Sequence, residues 1–322
     1  MGVVLLVLAL VGAAAWWVDH PLSLDKPSVD LGIEPGTSAR GVAQVVAQSG
    51  VDVTPQLLYA WFRASGQGRQ IKAGSYEVEA GTTPRSLLRK LVRGEESLRS
   101  LTLVEGWNFR QVRGALAGAP QLAQESAGLS EAALMVALGR PGLAAEGRFF
   151  PDTYSYAKGS SDLKVLARAL RAMDKHLIAA WENRAADSPL KNPEQALVLG
   201  SIVEKETGRP SDRPMIAGVF VNRLRLGMLL QTDPTVIYGM GDRFDGNLRK
   251  KDLLTDTPWN TYTRSGLPPT PIAMPGKQAL TAAVAPSRTD ALYFVARGDG
   301  TSQFSRNLDE HNRAVDKYQR KR

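Results

Sequence analysis

Two glutamates separated by one lysine close an otherwise apolar stretch, Leu199-Gly200-Ser201-Ile202-Val203-Glu204-Lys205-Glu206-Thr207-Gly208. They are the chain's best candidates for acid–base chemistry, because a carboxyl in partly apolar surroundings keeps its proton to higher pH and can act as a general acid. Asn192-Pro193-Glu194 is a good helix start, with Asn as cap, Pro at the first helical position and an acid at the positive end of the dipole. Gly208 supplies the stop. On this helix Glu204 shares a face with Leu197, Gly200 and Ser201, whereas Glu206 lies among Leu199, Ile202 and Val203. The acids diverge by about 200°, so both cannot enter one pocket. Small residues one turn before Glu204 leave room for a ligand and make Glu204 the candidate acid. Glu206 is expected to support it, paired with a buried basic or amide group, because an unpaired buried carboxylate is costly. The plain structural alternative is a pair of surface acids flanking Lys205.

Past Ser211 a second helix carries Ile216, Val219, Phe220 and Leu224, with Asn222 and Arg223 riding on it, and stops at Gly227. Leu230 to Tyr238 then gathers amide, hydroxyl and acid (Gln231, Thr232, Asp233) around a turn. Such a mixture suits hydrogen bonding to sugar hydroxyls and N-acetyl groups, and is equally what an ordinary capped turn contains. Gly239-Met240-Gly241 is not a dinucleotide loop, since Phe244 occupies the third glycine position. Other chemistries have little to stand on. The chain has no Cys, which excludes disulfides, a thiol nucleophile and Cys-ligated zinc. His20, His176 and His311 are far apart, so neither a central metal site nor any other cofactor is expected. No G-x-S-x-G elbow supports a serine hydrolase.

The elements that must position these residues fall into an anchor and two units, as 322 residues suggest. Gly2 to Val18 is apolar without a charge and, as a helix, reaches roughly 25 Å, marginally enough to cross a bilayer core. Trp16 and Trp17 sit where an aromatic belt would meet headgroups, which favours a retained anchor over a signal peptide cleaved near Ala13-Ala14-Ala15. In either case the rest of the chain is expected outside the cytoplasm. A small unit from about Ser28 to Gly94 reads strand, helix, helix, strand, helix, with Leu58, Trp61 and Phe62 buried from its second helix. Leu98 to Val104 reads as a strand, followed by three helical stretches to about Leu138. Glu146-Gly147-Arg148-Phe149-Phe150-Pro151-Asp152-Thr153-Tyr154 combines aromatics with a turn and looks like a packed loop or cleft wall. Ser161 to Trp181 is a long amphipathic helix on Leu163, Leu166, Leu170, Met173 and Leu177. The net charge of +8 is scattered, apart from a basic run in Lys317 to Arg322. It is compatible with an anionic surface or an acidic polymer, but aromatic-basic interleaving for nucleic acid is missing.

The blocks Ser201-Ile202-Val203-Glu204-Lys205-Glu206-Thr207, Val219-Phe220-Val221-Asn222-Arg223-Leu224 and Leu230 to Tyr238 together resemble the YceG-like (MltG) family of membrane-anchored endolytic murein transglycosylases. Trp259-Asn260-Thr261-Tyr262, Gly266-Leu267-Pro268-Pro269, Pro271-Ile272 and Glu310-His311-Asn312 continue the resemblance in the family's order. Trp259 stands where the family usually has Tyr, and Ser302 where a His is common. The fold implied is α+β: a transmembrane helix over 1–18, a linker over 19–27, a small LysM-like β-α-α-β domain over 28–97 and a larger mixed α+β catalytic domain over 98–322.

The activity implied is cleavage of the bond between N-acetylmuramic acid and N-acetylglucosamine within peptidoglycan strands. The resemblance makes Glu204 the acid that protonates the glycosidic oxygen, and then the base that frees the muramoyl 6-hydroxyl to attack its own anomeric carbon. A 1,6-anhydro end results and no water is consumed. With that substrate, Asn222, Gln231 and Asp233 are expected to line the saccharide cleft, and Tyr238 and Tyr262 to offer stacking or hydroxyl contacts. The resemblance also implies residence in the bacterial inner membrane with the catalytic part in the periplasm, an influence on nascent strand length, and association with peptidoglycan synthases. Two other classes stay open: a hydrolytic muramidase using Asp233 or Glu206 to activate water, and a non-enzymatic anchored scaffold that binds glycan through the LysM-like unit.

Overall fold

A computed structural model describes residues 1–320, so the end of the basic run at 321–322 lies outside the described residues. The chain forms two compact units: one comprises Met1–Ser100, Pro120–Leu122 and Ser155–Ser160, and the other the remaining residues.

In the first unit, α1 (Gly2–Val18) has 17 residues and no charge, and most of its described side chains are exposed, Trp16 among them at 62%. Val18 is buried and Trp17 packs on the core of the unit, so the two tryptophans are not equivalent. Among the described residues no helix is long and apolar enough to cross a membrane. Two antiparallel pairs follow, β1 (Ser23–Leu24) with β3 (Val51–Asp52) and β2 (Ser28–Ile33) with β4 (Gly74–Glu79). On β2, Val29, Leu31 and Ile33 alternate inward against α2 (Ala39–Gln48), as a one-faced strand must. Ser38 caps α2, Pro55 opens α3 (Pro55–Ala64), and a Thr83/Ser86 capping box opens α4 (Pro84–Arg93). Gly94 ends α4 in the left-handed conformation (φ 71°). Leu58 and Phe62 are buried as expected, but Trp61 is only half-buried, its indole N–H spent on the Pro84 carbonyl.

β5 (Leu98–Thr102), shorter than the expected strand, pairs with β6 (Thr153–Ala157). Between them stand two helices rather than three, α5 (Phe109–Ala117) and α6 (Glu131–Ala137). The intervening segment is held by side chains instead: the Asp162 carboxylate accepts from the Ser126 N–H (3.1 Å) and hydroxyl (2.6 Å), and Arg113 donates to the Ser126 and Leu129 carbonyls.

The second unit is organised around α8 (Pro193–Glu206), in which every residue from Ala196 to Val203 is buried. A helix apolar on all sides needs neighbours on all sides. They are α7 (Asp162–Glu182), α9 (Arg213–Arg225), α10 (Asp233–Met240) and α12 (Lys277–Val284), while α11 (Lys250–Leu254) packs on α10. Gly200 is the point of closest approach: a Cβ there would lie 3.2 Å from Leu280 Cδ2 and 3.5 Å from Leu280 Cα. The antiparallel pair β7 (Tyr293–Ala296) and β8 (Ser302–Ser305), with α13 (Leu308–Tyr318) against it, completes the unit.

Leu199 is fully buried in the middle of α8. Leu199→Ala is expected to cost about 3 kcal/mol, read as a lower urea midpoint at unchanged m-value.

Candidate active site

The two acids of the last turn of α8 meet different environments. Glu204, with its side chain 5% exposed, receives a 2.7 Å hydrogen bond from Arg213 Nη2, itself 7% exposed, and a 2.9 Å hydrogen bond from the Gly276 N–H. Arg213 also lies 3.7 Å from Glu105 and donates to Gln278. Burial raises the Glu204 carboxyl above its usual range, while the Gly276 amide and the Arg213 charge pull it back. The space that small residues were expected to leave beside Glu204 is filled: α12 packs on Gly200, and the Ser201 hydroxyl accepts from the Ile272 N–H at 3.0 Å.

Glu206 has no ion pair among the described residues. Instead of the expected basic or amide partner it has the Thr232 hydroxyl, which donates to Glu206 Oε1. Burial pushes its carboxyl up to about 7, eased by the Thr232 hydrogen bond and reinforced by the nearby negative Asp233. Glu206 lines a cavity of about 580 Å³ together with Gln231, Thr232, Asp233, Tyr262 and Ser302. The position that departs from the family's usual His is therefore part of this wall.

The wall is built to hold its shape. Gln231 adopts a left-handed backbone (φ 49°), and its N–H bonds to the Thr261 carbonyl at 3.1 Å. Arg223, 7% exposed, fixes the approach to that turn by donating to the carbonyls of Leu229, Leu230 and Leu292 and, at 3.3 Å, to Gln231 Oε1. The Thr261 hydroxyl accepts from the Thr232 N–H at 3.1 Å and lies 2.8 Å from the Thr235 hydroxyl, so the backbone that carries Thr232 is held beside Glu206 by a buried network. Tyr262 donates to Asp233 Oδ1 at 2.5 Å. Burial first, and the Asp233 carboxylate second, raise this phenol well above its usual range.

Four of the residues singled out in the sequence thus share one cavity: Glu206, Gln231, Asp233 and Tyr262. Two do not. The Asn222 amide spends both donors on the carbonyls of Thr289 (2.8 Å) and Ala291 (3.1 Å), bracing α9 against the segment before β7. Tyr238 faces a different cavity of about 960 Å³, where Trp259 also lies. There its hydroxyl bonds to Glu146, a carboxyl 5% exposed that burial pushes up to about 7. The Phe109 N–H, at the first turn of α5, donates to both Glu146 oxygens at 3.1 Å. In the sequence Glu146, Thr232 and Arg223 carried no site role of their own, although an acid embedded in the aromatic run Glu146 to Tyr154 is a visible signal. Among the described residues no group of three or more His, Asp or Glu side chains is placed to hold a metal ion.

A family model described as the YceG-like family matches residues 31–317. The chain belongs to the YceG-like family. A relative in Bacillus subtilis (strain 168), named endolytic murein transglycosylase, is 29% identical over 317 residues, covering 93% of this chain and 87% of the relative. A protein of the same name in Streptococcus pneumoniae serotype 2 is 28% identical over 352 residues, covering 97% of this chain but 63% of that longer relative. The crystal structure of a YceG-like protein from Listeria monocytogenes superposes with a TM-score of 0.56 at 27% identity, over 90% of this chain and 99% of that one. The YceG-like match begins in β2 and takes in the whole lining of the larger cavity and all of the smaller one's but Gln319.

Two outcomes test this YceG-like site as built. Glu204→Gln leaves Arg213 buried with only the more distant Glu105 to balance it, so it is expected to cost about 3 kcal/mol, read by chemical denaturation at pH 7. Glu206 and Glu146 have folded-state pKa values raised from 4.5 to about 7, so the folded protein holds their protons more tightly than the unfolded chain. The stability they contribute is complete below about pH 4.5 and is lost as pH rises through about 7. Glu206→Gln and Glu146→Gln are each expected to flatten the fall in stability between those pH values, as measured by urea titrations across the range.

Proposed function

We propose that this protein is an endolytic murein transglycosylase in which Glu206, rather than Glu204, is the acid–base residue. The observation that carries the reading is a half-buried carboxyl, free of any ion pair among the described residues, raised to about 7 and lining a cavity with an amide, a carboxylate and a phenol. Glu204 is held by Arg213 and the Gly276 amide and lines neither of the two large cavities. Membership of the YceG-like family and relatives named endolytic murein transglycosylase support the reaction class.

The substrate is the peptidoglycan strand, and the bond cleaved joins N-acetylmuramic acid to N-acetylglucosamine. Glu206, protonated near neutral pH, donates its proton to the glycosidic oxygen as the bond to the anomeric carbon breaks. The carboxylate left behind takes the proton of the muramoyl 6-hydroxyl, whose oxygen bonds to the same anomeric carbon. One C–O bond breaks, another forms, and Glu206 recovers its proton. The Thr232 hydroxyl can follow this cycle, donating to the carboxylate and turning to accept from the acid. Gln231 and the Asp233–Tyr262 pair supply hydrogen bonds to hydroxyl and N-acetyl groups. A muramidase would instead need Asp233 to activate water; its carboxylate already receives the Tyr262 hydroxyl.

The uncharged, largely exposed helix α1, at 17 residues too short to cross a membrane as a full span, attaches the chain to the membrane by its apolar surface. This keeps both units on the periplasmic face of the inner membrane, where nascent strands and the synthases that make them are within reach. Residues 28–97, within the first unit, are the LysM-like module of the resemblance, held close to glycan.

Glu206→Gln is expected to lower cleavage of purified glycan strands by at least about 100-fold, with folding intact, and mass analysis of wild-type products should find 1,6-anhydro ends lighter by one water than reducing ends. The alkaline limb of the wild-type rate profile should fall around pH 7. Reducing ends alone would replace this reading by a muramidase. Full activity in Glu206→Gln alongside an inactive, folded Glu204→Gln would return the acid to Glu204. Extraction of the full chain from membranes by alkaline carbonate would sink the anchor.

A further inference from the structure

The first unit carries a groove of its own, about 400 Å³, between α4 and the C-terminal end of α3. Arg85, Arg89 and Arg93 line it, and no acid among the described residues does. Spaced by four residues, these arginines stand on one face of α4, about 6 Å apart along the helix. Trp61, Ser65 and Gln67 contribute the lining on the side of α3. The Trp61 ring is fixed by its N–H on the Pro84 carbonyl at 3.2 Å, and the Arg85 guanidinium lies 5.6 Å from the ring centre.

On its own, this row of cations is unfavourable for α4. Like charges four residues apart repel along a helix face, and Arg85 stands in a first turn whose residues include no acid, where the helix dipole favours one. The protein offsets only part of this charge. Arg85 donates to both oxygens of Asp19, at 2.6 and 3.0 Å, and Arg93 lies 3.5 Å from Glu95. Arg89, between them, is exposed and makes no hydrogen bond or ion pair among the described residues. An anion with several oxygens would answer Arg89 and share its neighbours, and the planar fork of a guanidinium matches a phosphate group.

The place of the groove in the unit says which phosphate. Asp19 caps the C-terminal end of α1, α1 packs on α4, and Val18 and Trp17 fix that end to the core of the unit. The row of arginines is therefore tied to the end of the uncharged helix, whose last turn also presents the exposed Trp16. With the apolar surface of α1 among lipid tails, its charged end and the arginine bound to it lie at the level of the headgroups.

We infer that the groove between α3 and α4 binds the phosphate headgroup of an anionic lipid, so that charge holds the first unit to the membrane alongside α1. The lipid as the source of the phosphate rests on the membrane attachment proposed for α1; the choice of a phosphate rests on the arginines themselves.

The test is flotation of the full chain with vesicles of phosphatidylcholine alone and of equimolar phosphatidylcholine and phosphatidylglycerol. Both should carry the protein through α1, and the anionic vesicles should bind it more tightly, a gain that high salt removes. Arg89→Gln should leave binding to neutral vesicles unchanged and cut the gain about fivefold, the share of one cation at a charged membrane surface. Arg40→Gln, which removes an exposed arginine of α2 outside the groove, should leave the gain intact. Equal binding to the two vesicles, indifference to Arg89→Gln, or an equal loss in Arg40→Gln would each overturn the headgroup site and leave the attachment through α1 standing. Glycerol phosphate bound in solution as tightly as the anionic vesicles would assign the groove to a free anion and overturn the lipid. Binding to the anionic vesicles alone, lost in Arg89→Gln, would keep the groove and sink the attachment through α1, and binding to neither vesicle would sink both.

Discussion

The burial of α8 on all sides is the constraint on which the second unit depends. Eight consecutive buried residues leave the helix no solvent face, so polar groups can emerge only at its ends, and its last turn carries two carboxylates. Burying both as anions would cost several kcal/mol each. One acid is therefore matched with a buried guanidinium and a backbone N–H, and the other is met by a hydroxyl and stays protonated to about pH 7. The first arrangement closes the end of the helix, and the second leaves a proton available beside a cavity.

The surroundings of Glu206 restrict the motion of the groups that meet its carboxyl. Arg223 reaches four oxygen atoms around the cavity wall, and the Thr235 and Thr261 hydroxyls hold the backbone of Thr232, whose own hydroxyl donates to Glu206. The left-handed backbone at Gln231 is tolerated because both neighbours of that residue are tied, Leu230 to Arg223 and Thr232 to Thr261. Preorganised hydrogen bonding of this kind costs no rearrangement when charge moves between acid and substrate.

The two cavities differ in how their buried acid is met. In the smaller one Glu206 has a hydroxyl as its partner, and in the larger one Glu146, its carboxyl also pushed up to about 7 by burial, is tied by the Phe109 N–H and the Tyr238 hydroxyl. Relatives in the same family are named endolytic murein transglycosylase.

Much of this was legible in the sequence where the signal is local. The cap at Asn192, the end of a helix at Gly227, the stripe of α7 and the family blocks are all statements about neighbouring residues, and local backbone chemistry carries them. The sequence also singled out Glu204 and Glu206 as the acids to watch. It could not rank them, because helical phase says which side of α8 each acid leaves, not what occupies that side. α12, brought in from more than seventy residues away, fills the space at Gly200; Gly276 and Arg213 close over Glu204; and Thr232 and Tyr262 open a cavity at Glu206. Asn222 turned into a brace and Tyr238 into the wall of a second cavity for the same reason. Desolvation and partner geometry are properties of contacts between distant segments, and only the tertiary structure decides them.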